Sequence, residues 1–266
     1  MNDHSFITRG MNMDKKVVIV TGGSNGMGKA IAQKQAEEGW NVMITGRTED
    51  ALKAAKDEIE TFPGQVEICR MDVRSIEDVE RMIKETAARF GTIDVLVNNA
   101  AGNFICPAEK LSVNGWKAVI DIVLNGTFYC SQAAGRYWIK HNKEGLIVNM
   151  AATYAWGAGA GVVHSAAAKA GVLSLTRTLA VEWGRTYGIR VNAIAPGPIE
   201  RTGGAEKLFE SEEAALATIK SVPLGRLGTP EEIAGLASFL LSEKAEYING
   251  ECVTMDGGQW LNPRPF

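Results

Sequence analysis

Two side chains have the makings of proton and charge chemistry at close quarters. Tyr154 and Lys169 stand fifteen residues apart in NMAATYAWGAGAGVVHSAAAKAG, residues 149–171. A phenol carries a hydroxyl that donates or accepts, and an ammonium brings positive charge and three donors. At that spacing they are not neighbours on one helix, where partners lie three or four apart. The segment reads as the end of a buried strand, a loop of small residues, and the start of a helix carrying Lys169. The loop must therefore fold Tyr154 back over the helix. Ser165 precedes Lys169 by four and shares its face of the helix. Lys169 falls among alanine and glycine, on a face with no other use for a long charged chain. Asn125, in LNGTFYC, adds an amide donor upstream.

The elements that must position these groups alternate along the whole chain. Strand-like apolar runs occur at 16–21, 41–45, 65–71, 93–99, 146–151, 189–195 and 252–258, with helical patterns at about 26–38, 48–60, 75–89, 112–140, 162–186 and 229–242. Nearly continuous apolar strands alternating with helices predict a parallel sheet covered on both faces. Right-handed crossovers then give a doubly wound, Rossmann-type α/β sheet of about seven strands. No linker divides the chain, so residues 14–266 read as a single domain behind a tail at 1–13. The longest irregular stretch, PGPIERTGGAEKLFESEE, follows the sixth strand and suits a substrate loop over about 200–222.

The first strand runs into TGGSNGMG, with Gly22, Ser24, Asn25, Gly26, Met27 and Gly28, and a helix follows. Glycines let the backbone approach a pyrophosphate, which rests on the helix N-terminus. The second strand ends in Thr45-Gly46-Arg47 without the acidic residue that would hold a ribose 2′-hydroxyl. Arg47 offers a fork of donors to a 2′-phosphate, which favours NADP over NAD; a solvated arginine at a helix start is the plainer reading.

TGGSNGMG, MDV (71–73), NNAAG (98–102), Asn125, Lys169 with Gly171, and PGPI (196–199), in that order, resemble the short-chain dehydrogenase/reductase family. The resemblance covers the chain from about residue 15. It implies a nicotinamide cofactor and a homotetramer. It also implies that Asp72 and Val73 flank the adenine, that Asn99 and Ala100 line the cofactor, and that Pro196, Gly197, Ile199 and Thr202 approach the nicotinamide. The pattern breaks at one place. The family's usual tyrosine, four before the lysine, is Ser165 here, and its usual serine is Ala152. Within the family, the 2,4-dienoyl-CoA reductases carry the tyrosine in the earlier loop, and NNAAGNFICPAE and DIVLNGT are also similar to that subgroup. The implied activity is NADPH-dependent reduction of a 2,4-dienoyl-CoA in unsaturated fatty acid oxidation. Tyr154 and Asn125 would donate to the thioester oxygen, Lys169 would hold the ribose, and Ser165 would orient the site. Arg74 and Lys207 are then candidates for CoA phosphates. A keto or enoyl reductase of the same fold, or a catalytically silent NADP-binding protein, stands as the alternative.

Plainer roles exist for each group: Tyr154 packing on Trp156, Asn125 kinking its helix, Ser165 and His164 capping theirs, with His164 structural or solvent-facing. Phe128, Tyr129, Tyr137 and Trp138 suggest a subunit interface, with core packing as the alternative. A net charge of −3 over 266 residues gives no reason to expect nucleic acid or an anionic membrane as partner. No apolar run approaches a membrane span, and the first residues lack a signal-peptide core. Cys69, Cys106, Cys130 and Cys252 have no metal or disulfide spacing, and the three histidines are scattered, which points to no metal site and a reduced, cytoplasmic protein.

Overall fold

The computed structural model describes residues 15–202 and 212–262. The expected tail at 1–13 and Lys207 lie outside the described residues. Seven strands form one sheet: β1 (Val17–Thr21), β2 (Asn41–Gly46), β3 (Val66–Arg70), β4 (Val95–Asn98), β5 (Gly145–Met150), β6 (Ile189–Pro196) and β7 (Cys252–Met255). Their order is β3-β2-β1-β4-β5-β6-β7, and every pairing is parallel. The order reverses between β1 and β4, which opens a crevice at the carboxyl ends of those strands.

The strands form because their residues bury on both faces. Val18, Val20, Val42 and Ile44 enter one core with α1 (Gly26–Glu37), α2 (Glu49–Ile59) and α8 (Pro230–Leu241). Ile19, Met43, Leu96 and Ile147 enter the other with α3 (Ile76–Phe90), α5 (Gly126–Lys140) and α6 (Val163–Tyr187). Period-two alternation of two apolar sets is what a sheet covered on both sides requires. Helix ends follow local signals. Ser75 accepts the Asp78 N–H at the start of α3, Gly91 ends it in a left-handed conformation, and Thr229 with Glu232 forms a capping box beside Pro230.

Three expectations need correction. The single helix expected over 112–140 is α4 (Val113–Ile120), a π segment (Asp121–Asn125) and α5, so the turn before Gly126 is widened. The second half of the expected substrate loop is helical, as α7 (Glu212–Ser221). Trp138 is not an interface side chain: it is fully buried, and its indole N–H donates to the Ile93 carbonyl at 2.8 Å. Tyr129 and Tyr137 pack partly against the same core, whereas Phe128 is 39% exposed.

A buried polar network fixes β4 and β5 beneath the crevice. Asn98 donates to Asn149 and to Ser131, each at 2.9 Å, and Asn149 donates to Thr176 at 2.9 Å. These bonds tie two strand ends to α5 and α6, the helices that carry or adjoin the candidate groups. The bonds specify one arrangement, although the Asn98 Oδ1 is buried without a partner among the described residues.

Candidate active site

The glycine loop leaves β1 and enters α1 at the switch point. Gly22 and Gly26 have φ of +65° and +51°, which side chains rarely adopt. A Cβ at Gly28 would stand 2.3 Å from the Gly22 carbonyl oxygen, so the loop closes only with glycine there. Asn99 braces it from β4: its Nδ2 donates to the carbonyls of Thr21 and Gly22 at 3.0 Å, and the Thr21 hydroxyl accepts the N–H groups of Asn99 and Ala100 at 3.0 Å. Asn25 precedes α1 in extended conformation and no side chain caps the first turn, which also carries no acid. Free N–H groups and the positive helix end suit a pyrophosphate. The segment after β6 crosses above. Thr202 donates to the Ile199 carbonyl at 2.8 Å, and its methyl comes within 3.4 Å of a Cβ built at Gly26. Pro196 ends β6 opposite Met255, Gly197 passes close to Asp256, and Ile199 is buried in the core. Of the four residues expected at the nicotinamide, Thr202 is thus the one beside the glycine loop.

At the far end of the loop lies a cavity lined by Arg47, Arg70, Met71, Asp72, Asp78 and Arg81. Register sets Arg70 opposite Gly46 on the adjacent strand. Arg70 donates to the Arg47 carbonyl at 3.2 Å. Among the described residues neither Arg47 nor Arg70 forms an ion pair, whereas Arg74, Arg81, Arg201 and Arg226 each do. Two neighbouring guanidinium groups not tied up in ion pairs, in a cavity whose Asp72 and Asp78 are held by Arg74 and Arg81, fit a phosphate monoester. Arg70 escaped the sequence reading because strand register is not visible in a linear motif. Val73 is buried and Asp72 is held below the usual carboxylate range, chiefly by hydrogen bonds from Arg74. Arg74 grips Asp72 with Nε at 2.9 Å and Nη2 at 2.5 Å. Its fork is thus engaged with Asp72 rather than extended toward a separate ligand.

Tyr154, Ser165 and Lys169 lie after the end of β5 and in the first turns of α6, while Asn125 lies on a separate element, the π segment. A short 3₁₀ turn, Thr153–Ala155, folds Tyr154 back so that its hydroxyl lies 3.1 Å from Ser165 Oγ. Tyr154 and Ser165 thus meet over eleven residues, as the folded-back loop requires. Lys169 lies one helical turn beyond Ser165, 7% exposed, and its Nζ donates to the Met150 carbonyl at 2.5 Å. Burial lowers its pKa to about 8. Burial also raises the pKa of Tyr154, only partly opposed by Ser165, so the phenol stays protonated and able to donate. Asn125 ends the π segment, and its Nδ2 donates to Asp121 Oδ1 at 2.8 Å. One amide hydrogen remains, while Asp121, which the sequence reading missed, orients the group.

Two plainer readings fall. The ring contact Trp156 makes is with Trp260, edge to face with ring centroids 5.8 Å apart, and not with Tyr154. Val162 occupies the cap position of α6, so Ser165 and His164 are not its cap. His164 does not face solvent: it is fully buried, edge-on to Phe104 at 4.5 Å, with both ring nitrogens lacking a partner.

Among the described residues there is no cluster of His, Cys, Asp and Glu fit to hold a metal ion. No helix there is long and apolar enough to cross a membrane, and the four cysteines are free thiols.

A parallel sheet with a glycine cradle at its switch point, and a buried lysine one helical turn beyond the serine that a phenol touches, defines a nicotinamide-dependent oxidoreductase. Residues 22–259 match the family described as enoyl-(acyl carrier protein) reductase. The chain belongs to the short-chain dehydrogenase/reductase family. It is 74% identical over 254 residues, 96% of this chain and all of the relative, to a probable 2,4-dienoyl-CoA reductase, (2E)-enoyl-CoA-producing, of Bacillus subtilis (strain 168). It is 38% identical to the peroxisomal 2,4-dienoyl-CoA reductase, (3E)-enoyl-CoA-producing, of Danio rerio, covering 98% of this chain and 87% of that one. A solved short chain dehydrogenase from Bacillus anthracis superposes with a TM-score of 0.88 at 65% identity, covering 95% of this chain and all of that one.

Proposed function

We propose that this enzyme reduces 2,4-dienoyl-CoA thioesters with NADPH, in the oxidation of unsaturated fatty acids. The observation that carries the reading is the Tyr154 hydroxyl, 3.1 Å from Ser165 Oγ on the helix face of Lys169. Reducing a conjugated thioester at its far end sends negative charge to the thioester oxygen. The site then needs hydrogen-bond donors aimed at that oxygen rather than a strong acid on the substrate. Tyr154, kept protonated by burial, is one donor. The second hydrogen of the Asn125 amide, not spent on Asp121, is the other. Ser165 fixes the phenol's oxygen. A proton reaches carbon last, from water.

NADPH supplies the hydride when bound. Gly22, Ser24, Asn25, Gly26, Met27 and Gly28 would cradle its pyrophosphate, and Arg47 its 2′-phosphate. Asp72 and Val73 would flank the adenine, with Asn99, Ala100, Pro196, Gly197, Ile199 and Thr202 along the rest. The Lys169 ammonium would hold the nicotinamide ribose and favour negative charge near Tyr154. Lys207, outside the described residues, stays a candidate for the CoA phosphates from the sequence; Arg74 is less suited because Asp72 holds it. A cytoplasmic homotetramer belongs to the same reading, with the exposed Phe128 on α5 in a subunit contact.

The family description favours one second reading, an enoyl thioester reductase. Mixing the enzyme and NADPH with a 2,4-dienoyl-CoA, and separately with a 2-enoyl-CoA, while following NADPH absorbance, decides between them. Turnover of the dienoyl substrate alone is expected. Turnover of the enoyl substrate alone would overturn the proposal.

A further inference from the structure

A phenol on a helix inherits the helix's rigidity, but a phenol on a loop must be held by something else. Tyr154 sits in a single 3₁₀ turn, and from Gly157 to Gly161 no side chain is larger than a methyl group. The loop's own backbone bonds near Tyr154, Ala155 N–H to Ala152 and Gly157 N–H to Thr153, close local turns. The Gly161 carbonyl accepts the Cys106 N–H at 2.8 Å, which fixes the far end of the loop but not the stretch of Tyr154 and Trp156. From Thr153 to Ala160, two hydrogen bonds or ring contacts reach beyond the loop among the described residues. One is Tyr154 to Ser165; the other is Trp156 to Trp260, at an interplanar angle of 86°. Such an edge-to-face arrangement is the preferred geometry of an aromatic pair.

Trp260 is itself anchored. It lies in the turn Gln259–Leu261, after the end of β7. Asp256, 8% exposed, accepts the Gly258 N–H at 2.9 Å through one oxygen and the Trp260 N–H at 2.8 Å through the other. Gln259 donates to the Ser221 hydroxyl at 2.7 Å, which joins the turn to α7. A fixed platform therefore stands under the indole that Trp156 touches.

We propose that Trp260 is a positioning residue that acts through Trp156 to hold the loop of Tyr154 in register with Ser165. Tyr154 alone cannot fix the loop, because its hydroxyl contact is the one the reaction uses. Trp156 is the other large side chain in the stretch, and the C-terminal turn is what it rests on. The inference relies on Tyr154 being the acting phenol.

Trp260→Ala should lower kcat roughly 10- to 100-fold, the order of loss that a misplacement of about one ångström causes. The KM for NADPH should not change, because the cradle is on the other side of the crevice. Trp260→Phe keeps an aromatic edge and should restore most of the rate. In a Tyr154→Phe background, Trp260→Ala should cost little more, since the two act on one interaction. A merely structural role would instead add its full cost in that background. An independent readout is the fluorine NMR signal of 3-fluorotyrosine placed at position 154, which should be one sharp line in the native protein and broadened or split in Trp260→Ala. An unchanged line with unchanged kcat would overturn the positioning role while leaving the dienoyl-CoA reading intact. Absent dienoyl-CoA turnover by the native enzyme would overturn that reading, and the fluorine spectrum would then decide the positioning role without it.

Discussion

The two sides of the crevice are held in opposite ways. The glycine loop between β1 and α1 is fixed by backbone: left-handed glycines, the close pass of Gly28 against Gly22, and the Asn99 brace. The stretch of the loop that carries Tyr154 is fixed by side chains, a hydroxyl pair and an indole pair two residues apart, and backbone holds only the far end, at Gly161. A backbone-built site tolerates almost no substitution at its glycines but asks little of distant residues. A side-chain-built site is open to many substitutions, each of which moves the reacting group slightly. The cofactor side should therefore fail abruptly, and the phenol side by degrees.

Mutagenesis tests this difference, beginning with the largest effect. Gly28→Val places atoms inside the Gly22 carbonyl, and NADPH binding, followed by fluorescence titration, should be lost altogether. Retained binding would show that the cradle is not built on that close pass. Next, Tyr154→Phe removes one oxyanion donor and should cost about 10²–10³ in kcat. Ser165→Ala should cost much less, and the reverse ranking would exchange their roles. A pH profile probes Lys169. Its pKa is lowered to about 8, so the ammonium is present below that pH and lost above it. The rate kcat/KM should accordingly fall above pH about 8. The phenol, with its pKa raised, remains protonated there and is not the cause. A rate that stays flat through pH 9 would show that the lysine charge is not needed. The smallest effect belongs to cofactor choice. Arg47→Asp should shift preference from NADPH toward NADH, and Arg70→Gln should raise the KM for NADPH by roughly tenfold, the loss of about one charge-assisted hydrogen bond. Steady-state kinetics with both cofactors read this directly, and equal preference in all three proteins would remove the pair from the site.

The same division governs what the sequence disclosed. The sheet was legible because a parallel strand must be largely apolar on both faces, and the inner strands β1, β2, β4, β5 and β6 are, while the edge strands β3 and β7 are only partly buried. The glycine loop was legible because its constraint is local: TGGSNGMG carries its own reason for each glycine. Tyr154 was visible as a residue out of its usual place, but the means of holding it was not. Trp260 is remote in sequence, and nothing in a tryptophan near the chain end announces a contact with Trp156. Asp121 and Arg70 were missed for related reasons. One depends on the π segment, which changes which residues face each other, and the other on strand register. His164 was open between a structural, capping or solvent-facing role because one histidine between valine and serine has no pattern, and its full burial leaves the structural one. Its burial comes from Phe104, in a loop after β4.

The contact between Tyr154 and Ser165 has a consequence for how such a site can arise. Position 165 is 1% exposed, and the phenol's oxygen already occupies the space in front of it. A tyrosine at 165 would bring a second ring into space filled by the first, and overpacking of that kind forces neighbours apart. The two placements of the phenol are therefore mutually exclusive. A lineage passing from one to the other must cross a form with a small residue at 165 and no tyrosine at 154, or change both at once. The small serine is thus a vacated seat as well as a ligand of the phenol.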